Sequence, residues 1–389
     1  MNKKRLLIIN KSFELGGIQI ALINMLAEIQ DKYDVTLAVF NPNGPLKNRV
    51  PNNVKMLNLS PFVQVLGMNT SDCKKYGSIY QKIFKLIGGV WSKLFGNVLP
   101  VKFALAFQED VGEYDVVISY HQETNAKTLV TGFGEFAIKK CKAHKKIAWI
   151  HADFLATKLA TKKNLKTYQY FDKIISVSQN CMYNFISAYP SLKDKCAYCY
   201  NCVPVEEILQ KSSERQNVFE RDENTMILFS ASRLVEEKGL VPALKNILPL
   251  WKEGVDLKWY IAGEGAEREK LETVIREQNL TDKVILLGFQ NNPYPYIKEA
   301  DYLFLPSLHE TFSMVVSEAH ILGTSVIASD IPVMREVLGD GDYLCNHEAF
   351  YECLSRIISS SDYKHSDLQC REKDTNWCNE FSKALEEDE

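Results

Sequence analysis

Glu310 and Glu318 stand with seven residues between them in SLHETFSMVVSEAHILGTSVIASDI, directly after the apolar run ADYLFLP. The run reads as a buried strand and the stretch after it as a helix, with Glu310 at its entrance and Glu318 two turns in. A strand feeding a helix sets helix-terminal amides at the carboxyl edge of a sheet, which is a natural anion site. Eight helical residues span roughly 12 Å at the usual rise. Two carboxylates at that separation can each accept sugar hydroxyls while the amides between them face a diphosphate, as the sugar and ribose ends of a nucleotide sugar require.

Arg233 and Lys238 in SASRLVEEKG follow another strand pattern. Two cations around one β–α loop suit a diphosphate, arginine as a fork and lysine as a point charge; exposed loop charges are the bland alternative. Gly16-Gly17 lies between a first strand and a first helix, where glycine permits close backbone approach to a phosphate. The pair is not G-x-G-x-x-G, which argues against nicotinamide binding. His151 ends a strand in WIHADF, with Asp153 two residues on as a group to orient or charge the imidazole. A satisfied core histidine is the alternative. Phe289, after VILLG, is a candidate for lining a base pocket, and Gly263 and Gly265 in YIAGEGAEREKLE read as a tight turn into a helix.

Strand and helix patterns alternate throughout. RLLIIN, VTLAVF, VKMLNL, YDVVISY, KIAWIHA and KIISVS precede a polar stretch at 205–225, which reads as an interdomain connection. The alternation restarts with MILFSAS, LKWYIAG, VILLGF, YLFLP and SVIAS. Such order predicts an α/β fold of two doubly wound parallel sheets with a ligand cleft between their carboxyl ends.

The net charge of −3 hides a division. Residues 1–203 carry 27 Lys+Arg against 14 Asp+Glu, whereas the remainder carries 19 against 35. A basic half suggests anionic lipid, phosphate or nucleic acid. No helix-turn-helix, zinc finger or RNA-binding aromatic motif supports nucleic acid. Residues 73–107 hold six lysines (74, 75, 82, 85, 93 and 102), no acid and many aromatics. That stretch reads as a membrane-interface element or as a buried helix with lysines on its wet face. KKCKAHKK (139–146) extends the basic surface. No apolar run reaches transmembrane length, and the start reads as the first strand of a cytoplasmic protein. Ten scattered cysteines are expected as free thiols; the Cys196, Cys199, Cys202 run reads as a short strand rather than a metal site.

Taken in order, Gly16-Gly17, WIH, SVSQN, YNCVP, SASRLVEEKG, IAGEG and the E-x7-E pair resemble family 4 of the retaining glycosyltransferases, of GT-B architecture. The resemblance covers nearly the whole chain. It implies an acceptor domain over 1–203, a nucleotide-sugar domain over 204–365, and a last helix within 366–389 crossing back. It implies that Arg233 and Lys238 hold the donor diphosphate, Glu310 contacts the transferred sugar, and Glu318 contacts the ribose. Amides of Phe312, Ser313, Met314 and Val315 would bind sugar hydroxyls or phosphate, with His151 near the reacting carbon and Gly17 near the phosphate. No metal or other cofactor is expected, the donor being a UDP-hexose. The implied activity is hexosyl transfer to a glycan or polyprenyl-diphosphate-linked oligosaccharide in capsule, O-antigen or exopolysaccharide synthesis, at the inner face of the membrane. Alternatives are a non-catalytic scaffold subunit and a GT-B nucleotide-sugar epimerase. Thr311 and Ser313 stand where relatives often carry glycine, and Ile331-Pro332 replaces the usual Gly-Gly.

Overall fold

The computed structural model describes residues 3–220, 222, 225–360 and 377–385. The chain divides into two compact units, one of 1–202 with 377–389, the other of 203–376. Each is a parallel sheet covered by helices, so the Rossmann-like GT-B fold class holds. The expected boundary at 365/366 lies outside the described residues.

The first sheet contains β1 (Arg5–Ser12), β2 (Asp34–Asn41), β3 (Lys55–Leu57), β4 (Glu113–Ser119), β5 (Lys142–Ile150), β6 (Lys173–Ser176) and β7 (Cys196–Tyr198), in the order β3-β2-β1-β4-β5-β6-β7. The second contains β8 (Met226–Ala231), β9 (Leu257–Ala262), β10 (Val284–Gly288), β11 (Tyr302–Leu305), β12 (Ser325–Ser329) and β13 (Tyr343–Cys345), in the order β10-β9-β8-β11-β12-β13. Every pairing is parallel. Parallel strands need both faces covered, which is why β1, β8 and β11 are continuous apolar runs rather than alternating ones. In each sheet the strand order reverses beside the first strand, between β1 and β4 and between β8 and β11. Loops diverge there and leave a crevice at the carboxyl edge.

Three sequence expectations change. The polar stretch from 205 begins with a helix, Val205–Ser212, whose Ile208 is fully buried beside Val203 and Ile321. Acidic residues Glu206 and Glu207 occupy its first turn and Lys211 its last, so it is a helix favoured by its dipole. Cys345 and Cys353 are paired as a disulfide, against the expectation of free thiols throughout. Cys196 opens β7 as expected, but β7 ends at Tyr198, so Cys199 and Cys202 follow it as buried loop residues. Burial pushes the Cys196 thiol up to about 11 and the Cys199 thiol higher still.

The last helix, Trp377–Leu385, belongs to the first unit. Trp377 Nε1 donates to the Tyr200 carbonyl at 2.7 Å, and Phe381 stacks on Trp377 and meets Trp149 and Tyr33.

In the second unit Trp259 is fully buried in the core, edge-on to Phe304, and its Nε1 donates to Ser230 Oγ at 2.9 Å. Trp259→Ala is expected to cost about 3–5 kcal/mol, read as a lowered urea midpoint. A loss near zero would show that the core repacks around the missing indole.

Candidate functional site

In the second unit the loops after β8 and β11 meet at the strand-order reversal. After β8 the chain passes Arg233, makes a single 3-10 turn over Glu236–Lys238, and enters the helix Leu240–Lys252 through Gly239. Gly239 has φ +63°, and a Cβ there would sit 2.1 Å from the Pro306 carbonyl oxygen. Only glycine lets the two loops approach this closely. Leu308 N donates to the Glu237 carbonyl at 2.8 Å and locks them together.

This approach brings Lys238 Nζ onto Glu310 Oε1, which also accepts from Ser307 Oγ at 2.9 Å. Both charged side chains are mostly buried, at 17% and 11% exposure. Burying a pair with little water is favourable only when the partners are well matched. Each partner therefore holds the other in place at the mouth of the crevice. Arg233 lies on the same edge but is 70% exposed, facing Glu237 at 3.7 Å. Exposed pairs of this kind are weak, so the guanidinium is available to an anion.

Gly263, at φ +146°, and Gly265 follow β9 and pass directly over the loop that carries Arg233. Their Cβ atoms would meet the Ser232 and Leu234 carbonyl oxygens at 1.8 and 2.2 Å. Their role is to press these loops together. Phe289 follows β10 and is exposed.

Glu310 precedes the helix rather than opening it, because the helix runs Met314–Ile321. Glu310 and Glu318 are thus joined partly by loop, and the simple helical rise between them does not apply. Ser313 is the N-cap residue, with φ +73°, in the left-handed region where a non-glycine residue is strained. Its Oγ is buried without a partner. The substitution of serine for glycine noted in the sequence therefore falls where the backbone favours glycine. Phe312 is buried, while Met314 and Val315 are half-buried in the first turn, where amides lack intrahelical acceptors. Glu318 is half-buried, and burial raises its carboxyl to about 7.

In the first unit, Gly16 precedes the helix Gly17–Ile29 at the end of β1, and no acid occupies that helix's first turn. A Cβ on Gly17 would meet nothing within 4 Å, so open space rather than packing surrounds it. His151 follows β5. It is buried, its ring lies 4.6 Å from Tyr120, and its Nε2 has no partner. Burial first, and nearby His121 second, push the imidazole down to about 3, so it is neutral. Asp153 does not charge it. Its Oδ1 accepts from Leu155 N and Ala156 N, and its Oδ2 from Asn184 Nδ2.

His121 was not singled out by the sequence. It follows β4, directly at the strand-order reversal opposite the Gly16-Gly17 loop. Burial pushes it down to about 4. Its signal was the same as that of His151, a histidine at a strand end, in YDVVISYHQE. Asn10 Oδ1, Ser12 Oγ and Trp149 Nε1 are also buried without partners near these strand ends. Unpaired buried polar atoms are costly, and a ligand that supplies their partners removes that cost.

Residues 211–373 match the family described as "Glycosyl transferases group 1". Among curated relatives, an N-acetylgalactosamine-N,N'-diacetylbacillosaminyl-diphospho-undecaprenol 4-alpha-N-acetylgalactosaminyltransferase of Campylobacter jejuni is 32% identical over 177 residues, 45% of this chain and 46% of that one. An O-antigen biosynthesis glycosyltransferase of Escherichia coli is 26% identical over 45% of this chain and 47% of its own. The chain spans about half the length of the curated relatives it matches. The solved structure of Anabaena HepE with UDP and glucose superimposes with a TM-score of 0.66 at 16% identity, over 98% of this chain and 100% of that one. The sequence likenesses are to glycosyltransferases, and the structural likeness shows the GT-B fold.

Two predictions follow from the helix Met314–Ile321. Ser313→Gly is expected to raise stability by about 1 kcal/mol by relieving the left-handed backbone, measured by chemical denaturation; a loss would mean the hydroxyl has a hidden partner. The Glu318 carboxyl titrates higher folded than its usual 4.5. The stability it contributes is therefore full below about 4.5 and falls as pH rises through about 7. Glu318→Gln is expected to raise the melting temperature at pH 8 and to leave it nearly unchanged at pH 4.5. An equal effect at both would remove the titration from the account.

Proposed function

We propose that this protein is a retaining glycosyltransferase that moves a hexosyl group from a UDP-linked donor to a glycan or polyprenyl-diphosphate-linked oligosaccharide in surface-polysaccharide synthesis. The observation that carries the reading is the Lys238–Glu310 pair at the strand-order reversal of the second sheet. That is where a doubly wound sheet binds ligands, and the pair presents one cation and one hydroxyl acceptor there.

In this reading Lys238, Arg233 and the helix N-terminus beyond Ser313 neutralise the leaving diphosphate, with no metal required. Glu310 accepts from hydroxyls of the transferred sugar, and Glu318 from the ribose. Amides of Phe312, Ser313, Met314 and Val315 take the remaining sugar or phosphate oxygens, and Phe289 borders the base. Glycosyl transfer passes through an oxocarbenium-like state. The departing phosphate takes the acceptor proton on the same face, which retains the anomeric configuration. In the first unit, Gly17 leaves room for phosphate. His151, held neutral by burial, offers its unpartnered Nε2 to the sugar.

The UDP assignment draws support from the UDP-bound HepE structure, and the acceptor from the undecaprenol named for the Campylobacter relative. The excess of Lys+Arg in residues 1–203 suits an anionic membrane surface reached through the Lys74–Lys102 region, from the cytoplasmic side. Among the described residues no helix is long and apolar enough to cross a membrane.

A thermal-shift series with UDP-, GDP- and ADP-sugars, with and without EDTA, tests the donor site. Stabilisation by UDP-sugars that survives EDTA is expected. Glu310→Gln keeps an acceptor for Ser307 and is expected to lower kcat by about 10²–10³ while the UDP shift remains. Turnover close to that of the parent protein would overturn the assignment of Glu310, and no shift with any nucleotide would favour a scaffold that has kept the site without the activity.

A further inference from the structure

The helix Ile79–Phe95 is turned inside out relative to an ordinary surface helix. Apart from Phe84, which packs against Phe62 and Phe103, its protein-facing side is polar or small. Gln81 Nε2 donates to the Pro61 carbonyl at 2.9 Å, Lys85 Nζ donates to the Met68 carbonyl, and Ser92 Oγ bonds back to the Gly88 carbonyl at 2.7 Å. A Cβ on Gly88 would lie 3.1 Å from Leu129, so glycine allows the close seat. The opposite side is a continuous stripe of Ile79, Ile83, Leu86, Ile87, Val90 and Leu94, all exposed, Leu86 at 70% and Leu94 at 69%. At 100° per residue these six fall within one face. Trp91 and Phe95 border it, and the next helix, Val98–Ala106, adds exposed Leu99 and Phe103. A patch of this kind is far more apolar than a soluble surface tolerates without a partner. It rules out the buried-helix reading for 79–95, whereas Val98–Ala106 does bury Val101, Ala104 and Leu105 with Lys102 exposed.

Lysines say what the partner is. Lys82 and Lys93, about three turns apart, project along one border of the stripe. Lys74, Lys75 and Lys102 lie on two of the helices that contact this one, and no acid occurs in sequence from 73 to 107, Asp72 and Glu14 being the acids near Lys75. A protein partner of matching shape would need only the apolar stripe. A bilayer with anionic headgroups matches the apolar stripe, the aromatic border and the lysine rim together.

We infer that Ile79–Phe95 inserts side-on into the headgroup region of an anionic bilayer. Ile83, Leu86, Ile87, Val90 and Leu94 enter the acyl boundary, and Lys82 and Lys93 lie on phosphates. Insertion, not charge attraction alone, is the principal contact. The inference deepens the proposed function and rests on it for its consequence. Through Met68 the helix is fixed beside Gly67, whose Cβ would lie 2.6 Å from Lys11 O and Asn41 N at the carboxyl ends of β1 and β2. Asn97, just after the helix, donates to the carbonyls of Asn125 and Thr128 in the loop following β4. The docking helix is thereby anchored to the same sheet edge as Gly17, His121 and His151. A lipid-linked acceptor would arrive at that edge from the membrane on which the helix sits.

The test is sedimentation of the full chain with phosphatidylcholine vesicles, with and without phosphatidylglycerol, at low and high salt. Quenching by brominated lipids is read in the same samples. Binding to phosphatidylglycerol vesicles is expected to persist in part at high salt, with quenching that falls in Trp91→Phe. Leu86→Glu/Leu94→Glu, both outward-facing, is expected to weaken binding about tenfold or more at either salt. Lys82→Glu/Lys93→Glu is expected to remove the preference for phosphatidylglycerol. No binding by the parent protein, or undiminished binding by the leucine variant, would overturn the inference. So would parent self-association without lipid that the leucine variant abolishes, since the face would then be a contact between copies. The UDP thermal shift of the leucine variant should match the parent's. Loss of the shift in both proteins with vesicle binding intact would count against the donor site and not against the docking helix.

Discussion

A lysine and a glutamate, each almost out of water, face each other where the second sheet changes direction. Neither would be stable there alone, since a buried charge without a counter-charge costs several kcal/mol. Their meeting depends on the loops after β8 and β11 touching, which in turn depends on Gly239 fitting under the Pro306 carbonyl. Gly263 and Gly265 press the next loop against the first by the same means. The site is therefore built largely by backbone contact. The charged side chains are placed by glycines that do no chemistry themselves.

Strain is present in the same place. Ser313 holds a left-handed backbone at the start of the helix that carries Glu318, and the Glu318 carboxyl is held near neutrality by burial. Both cost stability in the unliganded protein. Each is of the kind that a ligand relieves, by satisfying the helix amides in one case and hydrogen-bonding the carboxylate in the other.

The parallel sheets were legible because buried strands are short apolar runs with turn residues at both ends, as in VVISY and YLFLP. The second-unit site was legible because charged residues directly after such strands have few places to be except the carboxyl edge. His121 was missed because one chain offers no way to rank strand-end histidines, and the strand order that makes it important depends on long-range pairing. The helix at 205–212 was hidden by its polarity, since a short helix buries little beyond Ile208. Glu310 read as helical because the count of residues between the two glutamates does not show where a helix begins. The stretch 79–95 did show helical apolar periodicity, but periodicity gives a face without saying whether that face looks inward. Only Gln81, Gly88 and Ser92 on the protein side decide it.

The position of the last helix bears on how the molecule is made. Trp377 and Phe381 complete the first unit against Tyr200, Trp149 and Tyr33, yet they are synthesised after the whole second unit. On the ribosome the second unit can fold as soon as its own strands emerge. The first must wait, with Trp149 lacking its contact to Phe381, until that helix leaves the exit tunnel. The half that is translated first is thus the half that finishes folding last.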